Sequence, residues 1–191
     1  MTAMPVVTPE PARKLTRADW EAMPEHRGKV ELLDGVIVEQ FGPGPDVTGA
    51  KLKHQKMLAR IYDLIRPVIP AGWLMLFPPF DVFVKETVVL EPDLIVAPEE
   101  RFLEHGLEEP PTLVVEALSP STRQHDVVKK FNWFAEFGVQ YVWFADPTEP
   151  SVIMWELVEG RYVEMGEAVG DQTLTVERPF ATEVNPKRLV E

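Results

Sequence analysis

Cysteine is absent from the chain, which excludes disulfide staples, thiolate metal centres and cysteine nucleophiles and leaves cysteine usage silent on the redox compartment. Long apolar runs are missing too: none reaches the ~20 residues that cross a bilayer as a helix, and Met1 to Lys14 carries three prolines and no apolar signal core. A soluble cytoplasmic protein with no membrane partner is expected. Positive charge is scarce. Lys and Arg number 19 against 31 Asp and Glu, a formal net charge of −12, whereas nucleic-acid binders draw much of their affinity from neutralising phosphates. Global charge therefore counts against a nucleic-acid substrate. Locally the balance is kinder, with Lys51, Lys53, Lys56 and Arg60 clustered on one predicted helix and Arg123, Lys129 and Lys130 close together further on. The first cluster reads most simply as a solvated helix face.

What is present describes one well-buried domain. With 191 residues, 45% of them hydrophobic, the chain can build a single core over residues 15–191 behind a flexible tail over 1–14. Thr16 with Asp19 has the spacing of a helix N-cap opening a short helix through Met23. Lys29–Leu33, the Asp34-Gly35 pair and Val36–Glu39 predict a hairpin, and Gly-Pro-Gly-Pro-Asp at 42–46 a loop. Leu58, Ile61 and Ile65 recur at helical spacing, so a helix is expected from about Thr48 to Val68, closed by Pro67 and Pro70. Trp73–Phe77, Phe80–Val84, Asp93–Ala97 and Thr112–Leu118 read as strands, the last two central. Pro98–Pro111 reads as an acidic loop with room for a helical turn, and Ser119-Pro120-Ser121 ends the strand before it. A helix over Arg123–Phe137 capped by Gly138, a strand over Val139–Ala145 and a second hairpin over Ser151–Met165 complete the pattern. This order predicts a mixed α/β layer fold with helices packed on a sheet.

Two carboxylates stand out because they interrupt otherwise apolar strands, in Leu-Glu-Pro-Asp-Leu-Ile-Val around Asp93 and Leu-Val-Val-Glu-Ala-Leu-Ser around Glu116. A buried carboxylate without a partner is costly, so the two are expected to share a compensating cation, and a divalent metal is the natural one. Asp126 and Lys130 lie four apart on the following helix. Two acids and a lysine suit phosphodiester hydrolysis.

These residues also carry a resemblance. Val30-Glu31-Leu32-Leu33-Asp34-Gly35, His54, Pro92-Asp93-Leu94, Val115-Glu116-Ala117-Leu118-Ser119-Pro120, Asp126 with Lys130, and Gly138 to Trp143 ending in Asp146-Pro147 resemble, in this order, the Uma-two group of restriction-endonuclease-like proteins within the PD-(D/E)xK nuclease superfamily. The resemblance implies a restriction-endonuclease-like mixed sheet flanked by helices, with extra β-hairpins, and a DNA endonuclease in which Asp93 and Glu116 bind Mg²⁺ or Mn²⁺ with the backbone carbonyl of Ala117. Leu118 stands where the superfamily's D/E-x-K lysine belongs, and the resemblance implies that Lys130 takes that role from the helix, orienting the attacking water or stabilising the transition state. Glu31 enters as a third acid, with His54 and Asp126 as supporting residues. Double-strand cleavage needs two such sites, which points to a homodimer.

Each residue also has a plainer reading. Asp93 follows a proline at a strand start, a common place for a turn aspartate. Lys130 could pair with Asp126 and merely support its helix. His54 shares the stripe of Leu58, Ile61 and Ile65 and could be a core histidine, and Glu31 could sit on the surface of its hairpin. Glu116 is the hardest to dismiss, because an alternating strand puts it on the face of Val114 and Leu118. The rivals to an endonuclease are a catalytically silent interaction protein that keeps the fold and a hydrolase of a small phosphorylated molecule.

Overall fold

The computed structural model describes residues 13–24, 29–39, 52–118 and 126–191, with Asp126 and Val127 described by backbone alone. Most of the expected tail, the loop at 42–46, the start of the long helix before Leu52, the strand end at 119–121 and the helix start at Arg123 lie outside the described residues, as do Lys51 and Arg123 of the two basic clusters.

The first helix, α1 (Arg17–Glu21), opens on the predicted cap: the Thr16 side chain accepts the Asp19 N–H while the Asp19 carboxylate accepts the Thr16 N–H, satisfying donors that the first turn would otherwise orphan. Strands β1 (Val30–Leu33) and β2 (Val36–Glu39) form the predicted hairpin. Its turn residues, Asp34 at φ 51° and Gly35 at φ 81°, both sit in the left-handed region that a two-residue hairpin turn requires. A Cβ on Gly35 would also come 2.6 Å from the Lys14 Cβ, so only glycine fits there.

Helix α2 (Leu52–Ile65) buries Met57, Leu58, Ile61 and Ile65. It is followed by β3 (Trp73–Leu76), β4 (Asp81–Lys85), β5 (Val88–Leu90) and β6 (Leu94–Pro98). Strand β5 was not expected: the Glu86-Thr87 turn before it holds neither glycine, proline nor asparagine and needs no positive φ, so nothing in its composition announces a hairpin. The acidic stretch after β6 holds the anticipated helical turn at Glu99–Arg101, and also two short strands, β7 (Phe102–Leu103) and β8 (Gly106–Leu107). Then come β9 (Leu113–Ala117), α3 (Asp126–Phe137), β10 (Tyr141–Asp146), and the long hairpin β11 (Ser151–Val158) and β12 (Arg161–Val169). The carboxy-terminal β13 (Leu174–Val176), β14 (Thr182–Val184) and α4 (Pro186–Val190) complete the fold.

Among the described residues the strands form two six-stranded mixed sheets, ordered β2-β1-β5-β4-β8-β7 and β12-β11-β10-β9-β6-β3, plus the small β13-β14 pair. In the second sheet β9 and β10 run parallel and the other pairs antiparallel. Every residue of β9 and β10 is buried, which is why both read as unbroken apolar runs. One face, with Leu94, Val96, Leu113, Val115 and Trp143, packs on α2 and α4. The other, with Ile95, Val114, Val142 and Phe144, packs on Trp133 and Phe134 of α3 and on Val82, Val88 and Leu90 of the first sheet. The far side of the first sheet is closed by Trp20 of α1 over Val30, Leu32, Phe83 and Val89. The central strands of both sheets are therefore covered on both faces, while β2 and β12 stay largely exposed.

Candidate functional site

The chain passes from the first sheet to the second in three residues. Strand β5 ends at Leu90, β6 begins at Leu94, and Glu91, Pro92 and Asp93 bridge the gap. Proline cannot donate a ladder hydrogen bond and holds its predecessor extended, so neither ladder runs through the crossing. Leu94 pairs with Val115 across the β6–β9 ladder, which sets Asp93 beside Glu116. The Ala117 N–H donates to Asp93 Oδ2 at 2.8 Å and fixes that carboxylate.

Three further elements complete the cluster. From β1, Glu31 is fully buried; its Oε1 accepts the Glu91 N–H at 3.0 Å, and Glu91 Oε2 accepts the Val30 N–H at 3.2 Å, stitching β1 to the crossing. From α3, Lys130 donates to Glu31 Oε1 at 2.8 Å and to Glu116 Oε1 at 3.0 Å. From the first turn of α2, His54 brings Nε2 to 3.5 Å from Asp93 Oδ2, while its buried Nδ1 has no hydrogen-bond partner among the described residues. Asp93, Glu116 and Lys130 are 7%, 7% and 5% exposed.

Sequence reasoning missed Lys29, which is as buried as the acids. Its Nζ lies 2.8 Å from Asp93 Oδ1 and 3.5 Å from Glu116 Oε2, between the two carboxylates. Lys29 and Glu31 occupy one face of the strand and Val30 and Leu32 the other. In a hairpin with one wet face that pattern would put both charges in water. Here α1 covers the apolar face and the site covers the charged one.

The structure thus brings together Asp93, Glu116, Lys130, Glu31 and His54, with Ala117 contributing its N–H. It places Glu31 in the interior rather than on the hairpin surface. The Lys130 ammonium is engaged by Glu31 and Glu116, and the side chain of Asp126 lies outside the described residues. Of the basic cluster on α2, Lys56 donates to the Glu191 carbonyl at 2.6 Å, while Lys53 and Arg60 are exposed.

The cluster sets its protonation states by opposition. Counting each group as charged, the carboxylates of Glu31, Asp93 and Glu116 face the ammoniums of Lys29 and Lys130, leaving one negative charge in excess. Burial works to raise the Asp93 carboxyl, but Lys29 and His54 outweigh it and hold it well below the usual carboxylate range. Burial likewise opposes ionisation of Glu31, and Lys130 and Lys29 overcome it. Glu116 goes the other way: burial, reinforced by Asp93 and Glu31, raises it against the pull of Lys130 and Lys29. Burial works to lower both lysines, yet their acid neighbours hold them protonated above the ordinary range. Two neighbouring carboxyls pushed in opposite directions are a common arrangement where acid and base roles must be divided.

Among the described residues no three His, Asp or Glu side chains are grouped as a ready-made metal cage. A pair of hard carboxylates is nonetheless a suitable donor set for Mg²⁺, which keeps several waters and commonly takes one or two protein carboxylates plus substrate phosphate. The Lys29 ammonium between Asp93 and Glu116 shows that their oxygens converge on one cation.

Among solved structures, the crystal structure described as "a putative nuclease belonging to DUF820" from Anabaena variabilis superposes with a TM-score of 0.66 at 21% identity, covering 92% of this chain and 97% of that one. The mixed α/β architecture is therefore a fold shared with that protein. No curated protein matches the chain. No helix among the described residues is long and apolar enough to cross a membrane. The model of the family Uma2, described as "Putative restriction endonuclease", matches residues 17–187, and the chain belongs to that family.

Proposed function

We propose that the protein is a metal-dependent nuclease hydrolysing phosphodiester bonds in DNA. The observation that carries this reading is the meeting of two neighbouring carboxylates, Asp93 just before β6 and Glu116 on β9, with the buried ammonium of Lys130, in a chain whose family is described as "Putative restriction endonuclease". Asp93 and Glu116, with the carbonyl of Ala117, would hold Mg²⁺ or Mn²⁺, which when bound supplies Lewis-acid polarisation of the phosphate and an acidified water.

The chain's own residues do the rest. Lys130, held protonated by Glu116 and Glu31, presents a fixed positive charge where the scissile phosphate gains negative charge, and it orients the attacking water by hydrogen bonding. Glu31 is a positioning residue: it anchors the lysine from behind and is itself held by the Glu91 N–H.

The test is plasmid nicking with Mn²⁺ or Mg²⁺ against a chelator control. Glu116→Gln is expected to lower the rate by at least about a hundredfold, the scale of losing one preorganised charged group. A rate equal to wild type would remove Glu116 from the chemistry. Two observations favour a second reading, a silent interaction protein that keeps the fold: the chain carries a net charge of −12, and amine or amide donors already engage three of the four Asp93 and Glu116 oxygens, with Lys29 3.5 Å from the fourth. Pure wild-type protein with no metal-dependent cleavage of plasmid, linear duplex or single-stranded DNA would select it.

A further inference from the structure

The geometry points to Lys29 as a tethered cation that occupies the shared position between Asp93 and Glu116, so that a divalent ion binds there by displacing its ammonium. The inference rests on the metal reading of this site and adds a competitor to it. Lys29 Nζ lies 2.8 Å from Asp93 Oδ1 and 3.5 Å from Glu116 Oε2, whereas Lys130 reaches Glu116 through the other oxygen, Oε1, and leans toward Glu31. The two lysines divide the work: Lys130 ties Glu116 to the first sheet, and Lys29 spans Asp93 and Glu116.

A metal bonded to those oxygens at ~2.1 Å would sit too close to an ammonium that keeps its present contacts. A divalent ion and the Lys29 ammonium together would bring three positive charges to one pair of carboxylates, so repulsion between the cations favours release of the ammonium. Lys29 has the means to leave. It stands immediately before β1, outside the strand ladder, on a long unbranched side chain, so a rotamer change frees the acids without moving the sheet. The exchange keeps the acids compensated throughout, with the ammonium serving the metal-free protein and the ion the loaded one, and this explains how buried acids persist in a folded chain before metal arrives.

The experiment compares Mn²⁺ binding by the full chain as wild type, Lys29→Gln and Lys29→Arg, using calorimetric titration and thermal melts. Lys29→Gln is expected to bind Mn²⁺ at least about tenfold more tightly, within the range of ordinary coupling between competing ligands, and Lys29→Arg no more tightly than wild type. Binding by Lys29→Gln alone, or folding of that variant only when Mn²⁺ is present, also supports displacement. Equal affinity in wild type and Lys29→Gln overturns it while leaving the metal reading standing. No binding by either overturns both. If Lys29→Gln is unfolded with and without Mn²⁺, the wild type decides through its ¹⁵Nζ-lysine spectrum under Mg²⁺. A Lys29 signal that loses its hydrogen-bonded position at saturating Mg²⁺ supports the exchange, and one that stays in place overturns it.

Discussion

Replacing Lys130 with methionine separates a buried electrostatic keystone from an ordinary helix lysine. On an exposed helix, loss of a Lys four residues from an Asp costs a few tenths of a kcal/mol. Here the side chain is 5% exposed, and its ammonium is 2.8 Å from a fully buried Glu31 and 3.0 Å from Glu116. Lys130→Met keeps the length of the side chain but takes from Glu31 the ammonium 2.8 Å away. Breaking one side of a buried pair costs about 3–5 kcal/mol, a large share of the ~5–15 kcal/mol that holds a domain together. With a urea dependence of about 2 kcal/mol per M, the midpoint should fall by roughly 2 M. Urea unfolding in EDTA, followed by tryptophan fluorescence, measures this without a metal to compensate. Glu31→Gln in the same background should recover part of the loss, with a coupling of about 2 kcal/mol. A single-variant cost below about 1 kcal/mol, or strict additivity of the two changes, would refute the buried-triad geometry and return Lys130 to the helix surface.

Mn²⁺ at a hundred times its dissociation constant should stabilise the wild type by about 2.7 kcal/mol, and Asp93→Asn should lose most of that response; identical melting midpoints in EDTA and Mn²⁺ would exclude the metal site. Burial pushes the Glu91 carboxyl from 4.5 up to about 7, so the folded chain holds a proton there that the unfolded chain has lost. Its contribution is complete below about pH 4.5 and falls by up to about 3 kcal/mol as pH rises through 7, and Glu91→Gln should flatten that slope in urea titrations run in EDTA. If Lys29, Lys130 and the exposed Lys129 make the phosphate contacts, about three in number, the logarithm of duplex affinity should fall with log salt at a slope near −3; anisotropy on Glu116→Gln giving a slope steeper than about −5 would refute that set and bring in the exposed Lys53 and Arg60 of α2.

The sequence disclosed most of the central sheet because burial on both faces leaves a strand no choice of residues. Leu-Val-Val-Glu-Ala in β9 and Tyr-Val-Trp-Phe-Ala-Asp in β10 are apolar throughout but for acids near one end, and no competing element explains such runs. The hairpins declared themselves through Asp34-Gly35 and Glu159-Gly160, whose turns need positive φ at both residues. Where a turn makes no such demand, as at Glu86-Thr87 before β5, nothing local separates a hairpin from a continuous strand. The division into two sheets was hidden for the same reason. It depends on Pro92 redirecting the chain between β5 and β6, and a proline marks a break without saying where the next strand finds its partners.

The site was legible where a charge violates an apolar pattern and silent where it obeys a polar one. Asp93 and Glu116 violate theirs and were found. Lys130 also does so: with Trp133, Phe134 and Phe137 it makes the i, i+3, i+4, i+7 stripe that turns α3 inward, a signal that the nearby Asp126 masks by offering a simpler partner. Lys29 and Glu31 obey the alternation of a half-wet hairpin, and only α1 covering the opposite face turns their side into an interior. Burial of one face by a short amino-terminal helix therefore converts two unremarkable surface charges into two members of a five-membered ionic cluster. That conversion is a property of tertiary packing, which is why Lys29, whose ammonium lies within 3.5 Å of both acids, could not be read from its neighbours in sequence.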